Sequence, residues 1–215
     1  MTRGTKGKQR PSKAERRRIE RRRAVRRRLG FGIVGAAGVA VLLVFALTSE
    51  DVGGKGPSGA GEVSVSGDPR AQLLAAGEDA PEFSAPGLDG GTVSWRPGAP
   101  TVLSVWASWC PHCQVEMPVL DRVSADYPAV EFVSVVTAID AQPGPSPEEY
   151  MADNGLDFPV AVDDADRTLY RAFGIQGFPT TFFIAPDGTV MRASEGETDE
   201  STLRELFAEV QATGA

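Results

Sequence analysis

Two cysteines, two residues apart, between an apolar strand pattern and a helical one, constrain this chain more than any other feature. They read Cys110-Pro111-His112-Cys113, and His112 is the only histidine among 215 residues. With both cysteines in one short segment, no disulfide framework, four-cysteine metal site or histidine cluster is available to hold a fold together. The structure must instead be built around an apolar core. A four-residue ring stabilises a fold little through loop closure, and two thiolates with one adjacent imidazole leave tetrahedral zinc a ligand short. At a strand-to-helix junction, C-x-x-C reads as a redox pair.

The chemistry follows from the position. Cys110 stands at the helix N-terminus, where unpaired backbone N–H groups favour a thiolate, and the imidazole of His112 is expected to tune that thiolate. Cys113, one turn inside the helix, is the expected buried resolving thiol. As a disulfide, the pair is attacked at Cys110 by a substrate thiolate; as a dithiol, Cys110 attacks a substrate disulfide and Cys113 resolves the mixed disulfide.

Around the motif, apolar runs alternate with helical patterns. Strands are expected over 92–95, 101–107, 130–136, 158–162, 180–185 and 189–194. Interleaved with helices, they predict an α/β fold with helices on the faces of a sheet. Pro186-Asp187-Gly188 predicts a turn joining the last two strands into a hairpin. Ser146-Pro147-Glu148-Glu149 carries an N-cap, Pro at the first helical position and Glu at the third, opening a helix that ends near Asn154-Gly155. Thr198 is the expected cap of a last helix whose Leu203, Leu206, Phe207 and Val210 form one apolar face. Gly177-Phe178-Pro179-Thr180 places a proline at a strand entrance, a setting compatible with a cis bond.

Composition is misleading until it is read by position. The net charge is −7, but residues 1–28 hold 14 basic and two acidic side chains, and the rest of the chain holds 8 basic and 27 acidic ones. At the join lies an uncharged run of 21 residues, Leu29 to Ser49, long enough to span a membrane at about 20 residues. The arginines before it predict a cytoplasmic N-terminus. A nucleic-acid arm is the rival reading of the basic run; the adjoining apolar span favours lipid, and no nucleic-acid partner is expected. A cleaved signal peptide, with Val44-Phe45-Ala46 at the cut, competes with an uncleaved anchor, which the long basic segment and long apolar core favour. No Cys near the span allows a lipobox. Four segments are therefore expected: a basic cytoplasmic segment 1–28, a transmembrane helix 29–49, a flexible Gly/Ser-rich linker 50–69, and one domain 70–215 placed extracytoplasmically.

WASWCPHCQVEMP together with GFPTTFFIAPDG and EDAPEFSAPGLDGGTVS resembles the TlpA/ResA-type thioredoxin-like proteins, membrane-tethered thiol-disulfide oxidoreductases, over about residues 77–210. The resemblance implies a thioredoxin fold with an N-terminal β-extension, an inserted helical segment over about 138–158, and Pro179 in cis beside the disulfide. It also matches Glu116 to a glutamate near the active-site sulfurs, for proton transfer. Helical spacing agrees, since Cys113, Glu116, Leu120 and Val123 share one face; a solvated helix acid is the other reading of Glu116. Trp109, Pro111 and Phe178 are expected to bind the substrate. Protein thiols and disulfides are the expected substrates, with a membrane redox partner recycling the pair, membrane lipid around 29–49, and neither cofactor nor metal.

Two positions depart from the pattern. Ser104 stands where thioredoxin has a buried Asp, six residues before the first cysteine, leaving Glu116, water or nothing to move the Cys113 proton. The Pro111-His112 dipeptide resembles the oxidising DsbA-type enzymes, whereas the frame resembles reducing ones, and thioredoxin and DsbA lie about 150 mV apart. The frame favours a reductant or general exchange role, with apocytochrome c thiols as a candidate substrate; the dipeptide favours a disulfide-forming oxidant. A Sco-type copper chaperone needs a wider Cys spacing and a distal His, a peroxidase needs a different loop around its cysteine, and a non-catalytic binding module would work without Cys110.

Overall fold

The computed structural model describes residues 61–214. The basic segment, the apolar run 29–49 and the first part of the linker lie outside the described residues. Among the described residues no helix is long and apolar enough to cross a membrane.

The chain opens with an antiparallel sheet of β1 (Ser64–Val65), β2 (Phe83–Pro86) and β3 (Thr92–Trp95). Ser64 pairs with Ser84 and Val65 with Phe83, so residues expected in the linker already belong to the domain. The reason is local: Val63 and Val65 alternate with serines, and both valines pack against the core.

A second, five-stranded sheet follows in the order β6-β5-β4-β7-β8. Its strands are β4 (Thr101–Trp106), β5 (Glu131–Val136), β6 (Val160–Val162), β7 (Thr180–Ile184) and β8 (Val190–Glu195). β4, β5 and β6 run parallel, and β7 and β8 are antiparallel to their neighbours. All six residues of β4 are buried, as a central strand covered on both faces requires. β7 and β8 form the expected hairpin through Pro186-Asp187-Gly188.

Among the described residues four helices cover this sheet: α1 (Pro111–Asp126), α2 (Pro147–Asn154), α3 (Thr168–Ala172) and α4 (Glu200–Ala212). One core joins Val102, Trp106 and Phe183 of the sheet to Met117 and Leu120 of α1, Tyr150 of α2, and Leu203 and Phe207 of α4. On the opposite face Leu103, Val105 and Phe182 pack with Phe83 and Trp95 of the extension and Leu169 and Phe173 around α3. Side chains alternate faces along a strand, which is why neighbours Val102 and Leu103 serve different cores.

α2 starts as its sequence predicts. Ser146 Oγ accepts the Glu149 N–H, and the Glu149 carboxylate accepts the Ser146 N–H in return. The cap of α4 is corrected: Asp199, not Thr198, accepts the Thr202 N–H at 3.1 Å, while the Thr198 hydroxyl is paired with Ser194 Oγ at 2.9 Å. The extension also reaches the main sheet at both edges. Gly87 bridges Ala161 of β6, and Asp79 bridges Thr189 just before β8.

Candidate active site

β4 ends at Trp106, and four residues later Cys110 forms the N-cap of α1 with extended backbone. Pro111 suits the next position, where an N–H would have no helical partner and the fixed φ is already helical. Cys110 Sγ accepts the Cys113 N–H at 3.4 Å and lies 3.8 Å from the Phe178 carbonyl oxygen, to which its S–H donates. The Phe178–Pro179 peptide bond is cis. Both cysteines are free thiols. Cys110 keeps 5% of its surface exposed and Cys113 none. Burial pushes the Cys113 thiol well above the usual range, and the neighbouring Cys110 sulfur and Glu116 carboxylate add to the shift. Cys113 therefore needs a proton acceptor before it can attack.

Glu116 lies one turn further along α1 with 1% of its surface exposed. Its Oε2 accepts the backbone N–H of Thr198 at 2.5 Å and its Oε1 the Thr181 hydroxyl at 3.2 Å. Thr181 Oγ1 in turn shares a 3.0 Å hydrogen bond with Ser104 Oγ. Ser104, fully buried, thus joins a polar chain running from the sheet to Glu116. Burial pushes the Glu116 carboxyl up to about 6, against the lowering effect of the Thr198 N–H and Thr181 hydroxyl, with the Glu197 charge raising it further.

His112 projects from the exposed side of α1, and its Nδ1 lies 3.0 Å from Glu197 Oε2. The imidazole thus has a carboxylate partner in the segment between β8 and α4, rather than facing only the cysteine pair.

Around Cys110 the three expected substrate-binding residues come together. The Trp109 ring meets Phe178 edge-on at 5.7 Å, Phe178 also packs on Tyr170 at 5.9 Å, and Pro111 is exposed beside them. Val115, one turn along α1 from Pro111, is 54% exposed, the one large hydrophobic side chain so open among the described residues. It extends this apolar rim, and its place outside the C-x-x-C segment hid it from the sequence reading.

The inserted segment borders the same rim. Trp109 Nε1 donates to the Ala138 carbonyl at 2.7 Å, and Ala138 takes a left-handed φ of 52°. Gly144 approaches the Trp109 backbone so closely that a Cβ there would stand 2.8 Å from its Cα. Tyr150 of α2 donates through its hydroxyl to the Gln114 carbonyl at 3.1 Å. Sequence reasoning missed Thr181, Glu197, Thr198 and Tyr150; their partners lie 36 to 85 residues away, beyond any local pattern. Among the described residues, no group of three or more His, Cys, Asp or Glu side chains could hold a metal.

The family model for Redoxin matches residues 75–209. The soluble secreted antigen MPT53 of Mycobacterium tuberculosis (strain ATCC 25618 / H37Rv) is 30% identical over 158 residues, 74% of this chain and 78% of its own length. The thiol-disulfide oxidoreductase ResA of Bacillus thuringiensis subsp. konkukian (strain 97-27) is 28% identical over 138 residues, 62% of this chain and 78% of its own. Among solved structures, a thiol:disulfide interchange protein of the thioredoxin family from Chlorobium tepidum TLS superposes with a TM-score of 0.54 at 26% identity, covering 67% of this chain and 99% of that one.

Proposed function

The chain belongs to the Redoxin family and is a thiol-disulfide oxidoreductase of thioredoxin-like fold, and from that premise we propose that it is a single-pass membrane protein exchanging disulfides with extracytoplasmic proteins through Cys110 and Cys113. One observation carries the assignment of the pair: Cys110 sits at the helix N-cap, 3.8 Å from the Phe178 carbonyl oxygen, while Cys113 is wholly enclosed. The Cys110 thiolate attacks one sulfur of a substrate disulfide, forming a mixed disulfide and releasing the first substrate thiolate. Glu116 takes the proton of Cys113, whose thiolate then attacks Cys110 Sγ, closing the ring and releasing the second substrate thiolate. Two electrons pass from the pair to the substrate, and a membrane dithiol partner returns them. Run backwards, the same steps oxidise a substrate.

The reducing direction, with apocytochrome c thiols as a candidate substrate, is favoured. The His112–Glu197 contact supports it, since a carboxylate 3.0 Å from the imidazole brings negative charge beside the motif, which opposes a Cys110 thiolate and makes the disulfide less oxidising. The Pro111-His112 dipeptide supports the opposite reading, a disulfide-forming oxidant. Equilibration with glutathione decides between them: a potential near about −270 mV is expected, and one near about −120 mV would transfer the assignment to the oxidant. The anchor 29–49 and the N-in orientation rest on the apolar run and its arginine flank. The secreted MPT53 relative supports the extracytoplasmic placement. Recovery of the full chain in the membrane fraction, with residues 70–215 open to protease added outside the cell, is the expected result, and soluble release would overturn the anchor.

A further inference from the structure

α1 contains a proline, Pro118, in its interior. In an α-helix the carbonyl of residue 114 is closed by the N–H of residue 118, and proline has none. Gln114 O is therefore left without its helical donor in the first turn of the helix that carries both cysteines. It does not stay unpaired: the Tyr150 hydroxyl donates to it at 3.1 Å from the inserted helix α2. We propose that Tyr150 is a positioning residue for the redox pair, its hydroxyl replacing the N–H that Pro118 cannot offer and so holding the first turn of α1 in place under Cys110 and Cys113.

Three observations make this more than a chance contact. Tyr150 is 4% exposed and its ring packs on Trp106 at 5.5 Å, so its hydroxyl has little freedom to point elsewhere. Gln114 also reaches backwards: its Nε2 donates to the Ser108 carbonyl at 2.7 Å, tying the turn that follows the motif to the loop that precedes it. On the other side of the motif, the Trp109 indole grips the Ala138 carbonyl at the start of the same insertion. The insertion thus holds the segment from Trp109 to Gln114 at both ends. Burial pushes the Tyr150 phenol up to about 12, so it remains a donor at neutral pH.

The consequence concerns Cys110, and it rests on the reading of Cys110 as the nucleophile. The Cys113 N–H donates to Cys110 Sγ at 3.4 Å. A loosened first turn gives up that contact, and the freed carbonyl adds its negative end to the helix N-terminus, so the thiolate loses stabilisation. Tyr150→Phe removes only the hydroxyl. It is expected to shift the glutathione equilibrium three- to tenfold toward the disulfide. In a Pro118→Ala background, where residue 118 regains its N–H, the same change is expected to shift it less than twofold. Equal shifts in both backgrounds, or a shift under twofold in the Tyr150→Phe single variant, would overturn the proposal. Should Pro118→Ala not fold, the Gln114 carbonyl ¹³C resonance in Tyr150→Phe serves instead: an upfield move is expected and an unchanged position overturns it. If Cys110→Ser keeps its turnover, the nucleophile assignment fails, while the carbonyl resonance still reports on Tyr150.

Discussion

Glu116 and Thr198 stand 82 residues apart in the chain and meet in a 2.5 Å hydrogen bond, the Thr198 N–H donating to Glu116 Oε2. The residue before Thr198, Glu197, holds His112. One short connection between β8 and α4 therefore engages both a buried acid and an exposed imidazole of the helix that carries the redox pair.

Glu116 makes stability depend on pH. Its carboxyl titrates at about 6 in the fold against an ordinary 4.5. Between those values the folded protein keeps a proton that the unfolded chain has released. The corresponding stability is complete below about pH 4.5 and is lost as pH rises through about 6, a change of about 2 kcal/mol. Urea melts across that range should show the decline in the wild type and not in Glu116→Gln. The same variant should slow resolution of the mixed disulfide at pH 7 by at least about tenfold, as loss of a positioned base does. A rate equal to wild type would leave Glu116 a structural acid.

The cysteines should separate cleanly by role. Cys110→Ser is expected to abolish insulin reduction, because the remaining thiol is enclosed and held protonated. Cys113→Ser should accumulate mixed disulfides on Cys110, visible as adducts on a non-reducing gel, and those adducts would identify substrates. Trapping on Cys113 in the first variant instead would reverse the assignment.

Glu197→Gln removes the negative charge that faces His112. Both groups are largely exposed, so the effect is small and screened. The glutathione equilibrium should move toward the dithiol by no more than about fivefold, and less at high salt. A shift toward the disulfide would show that the pair acts through something other than its charge.

Gly174 ends the turn after α3 at φ +64°, and a Cβ there would overlap the Gln72 carbonyl. Gly174→Ala combines left-handed strain with a clash against backbone. It should lower unfolding free energy by more than about 2 kcal/mol, measured by urea titration. Thiol exchange per folded molecule would remain, since neither sulfur is touched.

The redox pair, its strand-to-helix setting, the capping box of α2 and the apolar face of α4 were all legible in sequence because each is encoded within a few consecutive residues. α3 was not. Its N-cap, Arg167, has a left-handed φ of 55° and makes no side-chain cap, so no start signal exists. Its first N–H groups are instead accepted by Asp163 and Asp164, with Asp163 Oδ1 taking Leu169 at 2.8 Å and Oδ2 taking Tyr170 at 3.0 Å. Asp163 Oδ2 also accepts the Thr137 hydroxyl at 2.8 Å, a partner 26 residues earlier. The strand β2 escaped for a related reason: Phe83-Ser84-Ala85-Pro86 is short and proline-ended, and it becomes a strand by pairing with β1 and β3. The partners of Glu116 and His112 depend on chain crossings that no local pattern predicts.

The contacts that Asp79 and Gly87 make with the rims of the five-stranded sheet bear on solubility. A sheet rim with free N–H and C=O groups is a template on which a second molecule can add strands. Residues ahead of β4 occupy part of both rims, with Leu88 donating to the Val160 carbonyl on one side and Gly77 to that of Val190 on the other. A shortened chain beginning at Pro97 would keep the cysteine pair and every helix described, yet expose two strand rims at once. Its failure would show as concentration-dependent assembly, through those rims and through the sheet face that Phe83 and Trp95 no longer cover.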